Sequence, residues 1–346
     1  MTIRTKILGL IYLLTGAAAL YGALWWLGAW SLGGLVDDWV EKQRVAGWTV
    51  EYAEKTKSGF PFEWRTKISS PRMAGPIGEG RNIDWRGEYL FVKWSPWQPK
   101  HLALISGGEH RVEAAGKDLP TRLDINLHKI VALIGLGRDL PRRYGIKADG
   151  VSVAAAGQKP VSVTRFIADT TLQAPDETQQ GVPERAAVAA DLYGLTLPEG
   201  IKAPLGRTIS RVSLEAGLSG ELHGGENRAA MFARWRDSGG VIDLRKFDAD
   251  WGAVSLRSSG TYTLDSNLRP LAALKLELTG FQQALDALTR TGAIRPSQLL
   301  LLRFGLRALS TPDPSGGEKI SIPIAAQDGW LSVGPVKLIQ LKPVAN

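Results

Sequence analysis

The chain has 346 residues, 44% of them hydrophobic and 22% charged, enough apolar material for a packed fold of one large or two smaller domains. Its net charge of +8 is spread among acidic residues, without the clustered Lys/Arg and aromatic interleaving of a nucleic-acid face, so no nucleic acid partner is expected. Cysteine is absent, which removes disulfides, thiolate catalysis and zinc–cysteine sites while leaving the compartment open.

No charged residue occurs from Ile7 to Val36; Arg4 and Lys6 precede the run, and Asp37 and Asp38 end it. About 20 apolar residues suffice to cross a bilayer core as a helix. The positive flank favours the cytoplasmic side, which predicts an inner-membrane, single-pass topology with the bulk of the chain periplasmic. Residues 1–36 are therefore expected to form a membrane anchor. Trp25, Trp26 and Trp30 would meet the outer lipid–water interface, where indole rings are favoured. A cleaved signal peptide is the alternative, with Ala17-Ala18-Ala19 as its small-residue site. Both alternatives export residues 37–346.

Leu35 to Arg44 reads as a short helix, with Leu35, Trp39 and the stem of Lys42 on one face and Gly47 as its stop. From there the apolar pattern has period two. In FPFEWRTKI it predicts a strand with Phe60, Phe62, Trp64 and Ile68 on one face, entered through Gly59 and Pro61. RVSLEAGLSGEL and LAALKLELTG alternate in the same way, as do TRLDINLHKI, GVSVAAAG and VSVTRFIADTTL. These are half-buried strands of antiparallel sheet, punctuated by 39 Gly and 19 Pro. The fold class is mainly β with a few helices, as one extended sheet or two β layers.

Asn126 to Gly137 fits a short buried helix or a strand. Residues 281–309 read as a helical hairpin, with Phe281, Leu285 and Leu288 on its first stripe and Gly292 and Pro296 at its break. The Pro-rich stretch Ala174–Glu184 is a soft boundary between halves 37–178 and 179–346.

Chemical motifs are sparse. LIGLGRDLP, Leu133 to Pro141, lacks the third glycine of a dinucleotide turn and has no βαβ alternation around it. His101, His110, His128 and His223 show no metal-ligand spacing, and no G-x-S-x-G elbow occurs. No catalytic residue, cofactor or metal is expected. Tryptophan is the unusual feature: nine of the 12 lie at 25, 26, 30, 39, 48, 64, 85, 94 and 97. Such rings either pack a core or line an apolar groove. The groove reading assigns Phe60, Phe62, Trp64, Trp85, Trp94 and Trp97 as apolar-ligand lining.

Several segments are familiar together: WVEKQRVAGWTV, SGFPFEW, SPR, IDWRGEYLFVKWSPWQP, GGVIDLRKFDADWGAVSLRSSGTYTLD and DGWLSVGP. With the anchor before them they make the chain resemble the alphaproteobacterial domain of unknown function 2125, over almost all its length. That family implies no activity and no catalytic residues. In architecture alone the layout is similar to the AsmA-like envelope proteins, which implies a large curved antiparallel sheet, as a half-barrel, behind an inner-membrane helix. The expected function is non-enzymatic binding of lipid or a lipid-like apolar ligand in envelope maintenance or lipid transport. The expected partners are inner-membrane lipid, such a ligand, or another envelope protein. A scaffolding module binding envelope proteins is the second expectation, and a hydrolase the third.

Overall fold

A computed structural model describes residues 3–78, 81–115, 121–136, 142–173, 182–221, 227–290, 303–313, 317–334 and 336–345. After the long helix α1 (Ile3–Val45), eighteen strands belong to one sheet in which every described pairing is antiparallel. The sheet is not closed: among the described residues β2 (Glu54–Ser58) pairs only with β3 (Trp64–Ser69), and β18 (Val336–Gln340) only with β17 (Trp330–Val333). Backbone contacts divide the chain into two units.

The first unit comprises residues 1–137 and 151–158. It contains β1 (Thr49–Glu51), β2, β3, β4 (Arg72–Gly78), β5 (Arg81–Trp94), β6 (His101–Ala115) and β7 (Thr121–Gly135). One edge of the long β5 takes two short strands in succession: β3 pairs with Tyr89–Trp94 and β4 with Arg81–Arg86. The chain changes strand between them at Ser70, which holds a positive φ of 48°. β6 and β7 extend the other edge. The segment Asn126–Gly135, ambiguous from its apolar run, is strand. Residues 137–141, where the dinucleotide-like motif ends, lie outside the described residues.

α1 runs unbroken to Val45, so the predicted helix at Leu35–Arg44 is the end of this long helix and not a separate element. Gly47 follows with φ +86°. The face that docks also differs from the expected one. Leu35 and Trp39 are exposed, whereas Ala29, Leu32, Val36 and Val40 are buried at three- and four-residue spacing. Leu32, Val36 and Val40 meet Val50, Ile68 and Val92 of the sheet, and Leu32 is only 1% exposed. Lys55 anchors the same contact by pairing with Asp37 at 2.5 Å.

Glycine permits the closest approach. A Cβ on Gly28 would lie 2.1 Å from Cε2 of Trp64, so the indole sits directly on the helix backbone. Its Nε1 donates to the carbonyl of Trp25 at 2.7 Å. Gly33 serves Lys57 in the same way, with 2.8 Å from a built Cβ to Cε.

The second unit comprises residues 138–150 and 159–346. Its strands are β8 (Arg142–Ala155, shared with the first unit), β9 (Val161–Leu172), β10 (Glu184–Thr196), β11 (Thr208–Ser219), β12 (Val241–Trp251), β13 (Val254–Leu264), β14 (Pro270–Thr279), β15 (Ser310–Asp313), β16 (Gly317–Gln327), β17 and β18. From β9 to β14 each strand pairs with the next, and β14 then pairs with β16. Helix α3 (Phe281–Arg290) forms the first arm of the predicted hairpin and buries Phe281, Leu285 and Ala287. Residues 303–308 are also helical, while 291–302 lie outside the described residues. Helix α2 (Arg228–Asp237) was not foreseen. Its polar sequence has no apolar stripe, but Asn227 caps it by accepting the amide of Ala230 at 2.8 Å. Trp235 of α2 is buried and donates to the Ser219 carbonyl at 2.9 Å.

Ion pairs tie strands of the first unit together. Asp84 on β5 accepts from Arg72 on β4 at 2.9 Å and from Arg86 at 3.0 Å. Hydrogen bonds from these two guanidinium groups pull the Asp84 pKa down to about 2, against the smaller opposing effect of burial.

Two outcomes follow from this packing. Gly28→Ala should destabilise the helix–sheet contact by about 1–3 kcal/mol despite the better helix propensity of Ala, because the Trp64 indole cannot yield space. Gly16→Ala, with no atom near its built Cβ, should be neutral or stabilising, and thermal unfolding in detergent compares the two. Asp84→Asn should cost about 1–2 kcal/mol at neutral pH. Since the folded pKa lies below the ordinary 3.8, that difference should persist above pH 3.8 and vanish as the pH falls through about 2; unfolding of both forms across this range measures it.

Candidate functional site

Two surfaces present apolar side chains, one in each unit. In the first unit the sequence-assigned aromatic residues occupy three environments. Phe60 and Phe62 do not belong to a strand. Residues 59–63 form a tight turn in which the Gly59 carbonyl accepts the amides of Phe62 at 3.2 Å and Glu63 at 3.0 Å, and β3 begins only at Trp64. Gly59 has φ +104°, and a Cβ there would meet the Glu63 carbonyl oxygen at 2.5 Å. The expected row of three aromatics on one strand face is therefore broken: the turn directs Phe60 and Phe62 outward, 62% and 72% exposed.

The turn is fastened to α1. The Tyr21 hydroxyl donates to the Pro61 carbonyl, and Trp25 Nε1 donates to the Glu63 carbonyl at 2.9 Å. Phe60 meets Trp25 edge to face, with ring centroids 5.3 Å apart. Burial would raise the Glu63 carboxyl, but hydrogen bonds from Lys93 and Arg65 outweigh it and hold the pKa below the usual carboxylate range.

Trp64 and Trp94 face each other across β3 and β5, centroids 5.2 Å apart, and pack against the Leu32–Ile68–Val92 cluster. Trp85 stacks on His110 at 5.9 Å. His110 is buried beside Ser106, and that burial lowers its pKa. Trp97, in the turn between β5 and β6, is 70% exposed. Of the three interface tryptophans, Trp26 and Trp30 are exposed, whereas Trp25 is half-buried against the turn.

An open depression of ≈ 590 Å³ is lined by Gly47, Gly75, Asp84, Glu113 and Arg122, among others. Its Asp84 is already engaged by Arg72 and Arg86. Among the described residues no group of three or more His, Asp or Glu converges as metal ligands. His223 lies outside them.

The second unit carries a surface that the tryptophan-led reading missed. Cross-strand register aligns Phe166, Leu192, Val212, Ala249, Leu256, Leu278 and Ile320 in one row over seven strands, β9 to β14 and β16. Two residues along, the register continues as Ala190, Leu214, Phe247, Ser258, Leu276 and Ile322, apolar at every strand but β13. A bulge in β12 near Arg245 restores the alternation, placing Leu244 and Ile242 on the same face as Phe247. At ~4.8 Å per strand spacing the row is roughly 29 Å wide. Ile320 is fully buried; the other six residues of the row are half-buried.

The opposite face is polar. Asp191, Ser213, Asp248, Arg257, Glu277 and Ser321 follow one another in register. Arg211 pairs with Asp191 at 3.1 Å, Lys246 with Glu215 at 3.1 Å and Lys275 with Glu277 at 2.6 Å. The Ser213 hydroxyl also donates to Asp191; this bond and Arg211 hold the carboxyl below its ordinary pKa despite burial. The sheet is thus two-faced, ion-paired on one side and aliphatic on the other. An aliphatic face supplies area for apolar contact and no directional chemistry. The signal for it was present in the sequence as the period-two alternation of β11 and β14.

Within Tyr12–Val45, α1 is long and apolar enough to cross a membrane, as a signal anchor or a signal sequence would be. No curated protein and no solved structure matches the chain. A family model described as an uncharacterized protein conserved in bacteria matches residues 25–342, from Trp25 at the helix–turn contact to the last strands. The chain belongs to that family, DUF2125.

Proposed function

We propose that this chain is a non-enzymatic, inner-membrane-anchored periplasmic protein that binds lipid or another apolar ligand on the aliphatic face of its second unit, in envelope maintenance or lipid transport. The observation that carries the proposal is the seven-strand row from Phe166 to Ile320, set against an ion-paired opposite face. Such a face gains free energy by covering itself, and acyl chains contribute ~0.8 kcal/mol per buried CH₂ without needing a polar partner. The charge-free run after Arg4 and Lys6 supports the anchor and its orientation. An anchored protein has membrane lipid at hand as ligand.

A second reading has its own observation. β18 is exposed along its whole length, including Val336, Leu338 and Ile339, and pairs only with β17 among the described residues. An envelope protein could add a strand there, which is the scaffolding function.

Lipid retention separates the two. Full-length protein purified in mild detergent should carry lipid detectable by mass spectrometry. Leu256→Glu, which puts a carboxylate into the apolar row, should reduce it by roughly tenfold or more. Ser259→Glu, on the polar face of the same strand and opposite Lys275, should leave it unchanged. Equal retention in both variants, or none in the parent protein, would remove the lipid reading and leave the β18 edge as the better candidate.

A further inference from the structure

The first unit's exposed aromatics gather at one end of its sheet. Register pairs Trp64 with Trp94, Trp94 with Leu102, and Leu102 with Ile134. The turn 59–63, the turn 95–100 and the end of β7 therefore lie side by side. Each presents apolar side chains to the outside: Phe60 and Phe62, Trp97, and Leu133 with Leu136. The loops are braced beneath these side chains. Trp94 Nε1 donates to the Pro99 carbonyl at 3.1 Å, and the Leu136 amide to the Lys100 carbonyl at 2.7 Å. Among the described residues beside these turns, Arg65, Lys93 and Lys100 are cations, and the Glu63 carboxylate is paired with Lys93 and Arg65.

The position of this end along α1 is fixed. The helix face from Ala29 to Val40 is buried in protein, so a bilayer can only surround the part before it. Counting ~20 residues of hydrocarbon-spanning helix from Ile7, the first of the charge-free run, ends near Trp26. The turn 59–63 is held to Tyr21 and Trp25, which is short of that limit. At ~1.5 Å per residue, Tyr21 lies roughly 7 Å inside the outer hydrocarbon boundary.

We infer that the end of the first unit formed by turns 59–63 and 95–100 is seated in the outer leaflet of the inner membrane, with Phe60, Phe62 and Trp97 inserted among the lipids beside the anchor. The bilayer is the occupant because the turn is bonded to the spanning helix itself, and the surplus of basic residues suits anionic head groups. The contact makes the protein sit on its membrane in one orientation instead of hanging from a free stalk. It rests on α1 spanning the membrane and is independent of ligand binding by the second unit.

The absence of cysteine allows single labelling sites in the full chain. Nitroxide would be attached at Phe60→Cys, Phe62→Cys and Trp97→Cys in protein reconstituted into phosphatidylethanolamine–phosphatidylglycerol vesicles. Ala17→Cys serves as the lipid reference within α1. Asn82→Cys, exposed at the opposite end of β5 and about 40 Å from Trp94 along the strand, serves as the water reference. Collisional accessibility should favour oxygen over a water-soluble nickel chelate at 60, 62 and 97, as at 17, and the reverse at 82. Labels at 60, 62 and 97 that match position 82 while 17 stays in lipid would overturn the seating alone. Water access at 17 as well would overturn the anchor, and the seating with it.

Discussion

A β-sheet has two faces, and the second unit of this protein has apolar residues for one of them. Across β9 to β14 and β16 the alternation is kept in register, so the row from Phe166 to Ile320 forms an aliphatic surface and the row from Asp191 to Ser321 on the other face carries ion pairs. The constraint is strict because the side-chain period is two: a slip of one residue on any strand would move leucines into the charged lattice and aspartates into the apolar row. The bulge in β12 is consistent with this, since it absorbs one residue and returns Leu244 and Ile242 to the side of Phe247. That surface is suited to apolar contact.

The first unit solves a different problem, how to join a long apolar helix to a sheet. The helix continues to Val45 and buries Leu32, Val36 and Val40 in the sheet's own core. Gly28 brings the helix backbone into contact with the Trp64 indole, where a larger residue would hold the two apart. Trp64 both packs on Gly28 and bonds to the Trp25 carbonyl, while Trp25 and Tyr21 bond back to the turn that precedes Trp64. Helix and turn thus fix one another, and the helix's orientation is transmitted to the strands of this unit.

Much of this was legible in the residues. The apolar helix, the strand alternation at β11 and β14, and the first arm of the 281–309 hairpin all rest on periodicity, which survives without tertiary information. The errors share a cause, since each depended on contacts that spacing does not record. At 60–63 the aromatic alternation imitated a strand, but Gly59 at positive φ closes a turn and Pro61 has no amide to give a ladder. At 35–44 Leu35 and Trp39 made the more hydrophobic stripe, yet the docked face is the one that the Gly28 and Gly33 contacts select. Tryptophan richness drew attention to the first hundred residues, where Trp64 and Trp94 pack the core, and away from the leucine and isoleucine rows of the second unit. α2 was missed because its only local mark is the cap at Asn227.

The aliphatic face is proposed to meet lipid. A photoreactive benzophenone side chain placed at Leu276, irradiated in intact cells and followed by mass spectrometry of the protein, tests it most directly. The neighbouring Lys275, which points to the ion-paired face, supplies the comparison. Lipid adducts at 276 and none at 275 are the predicted result. Adducts to protein alone at 276, or equal lipid labelling at both positions, would contradict it.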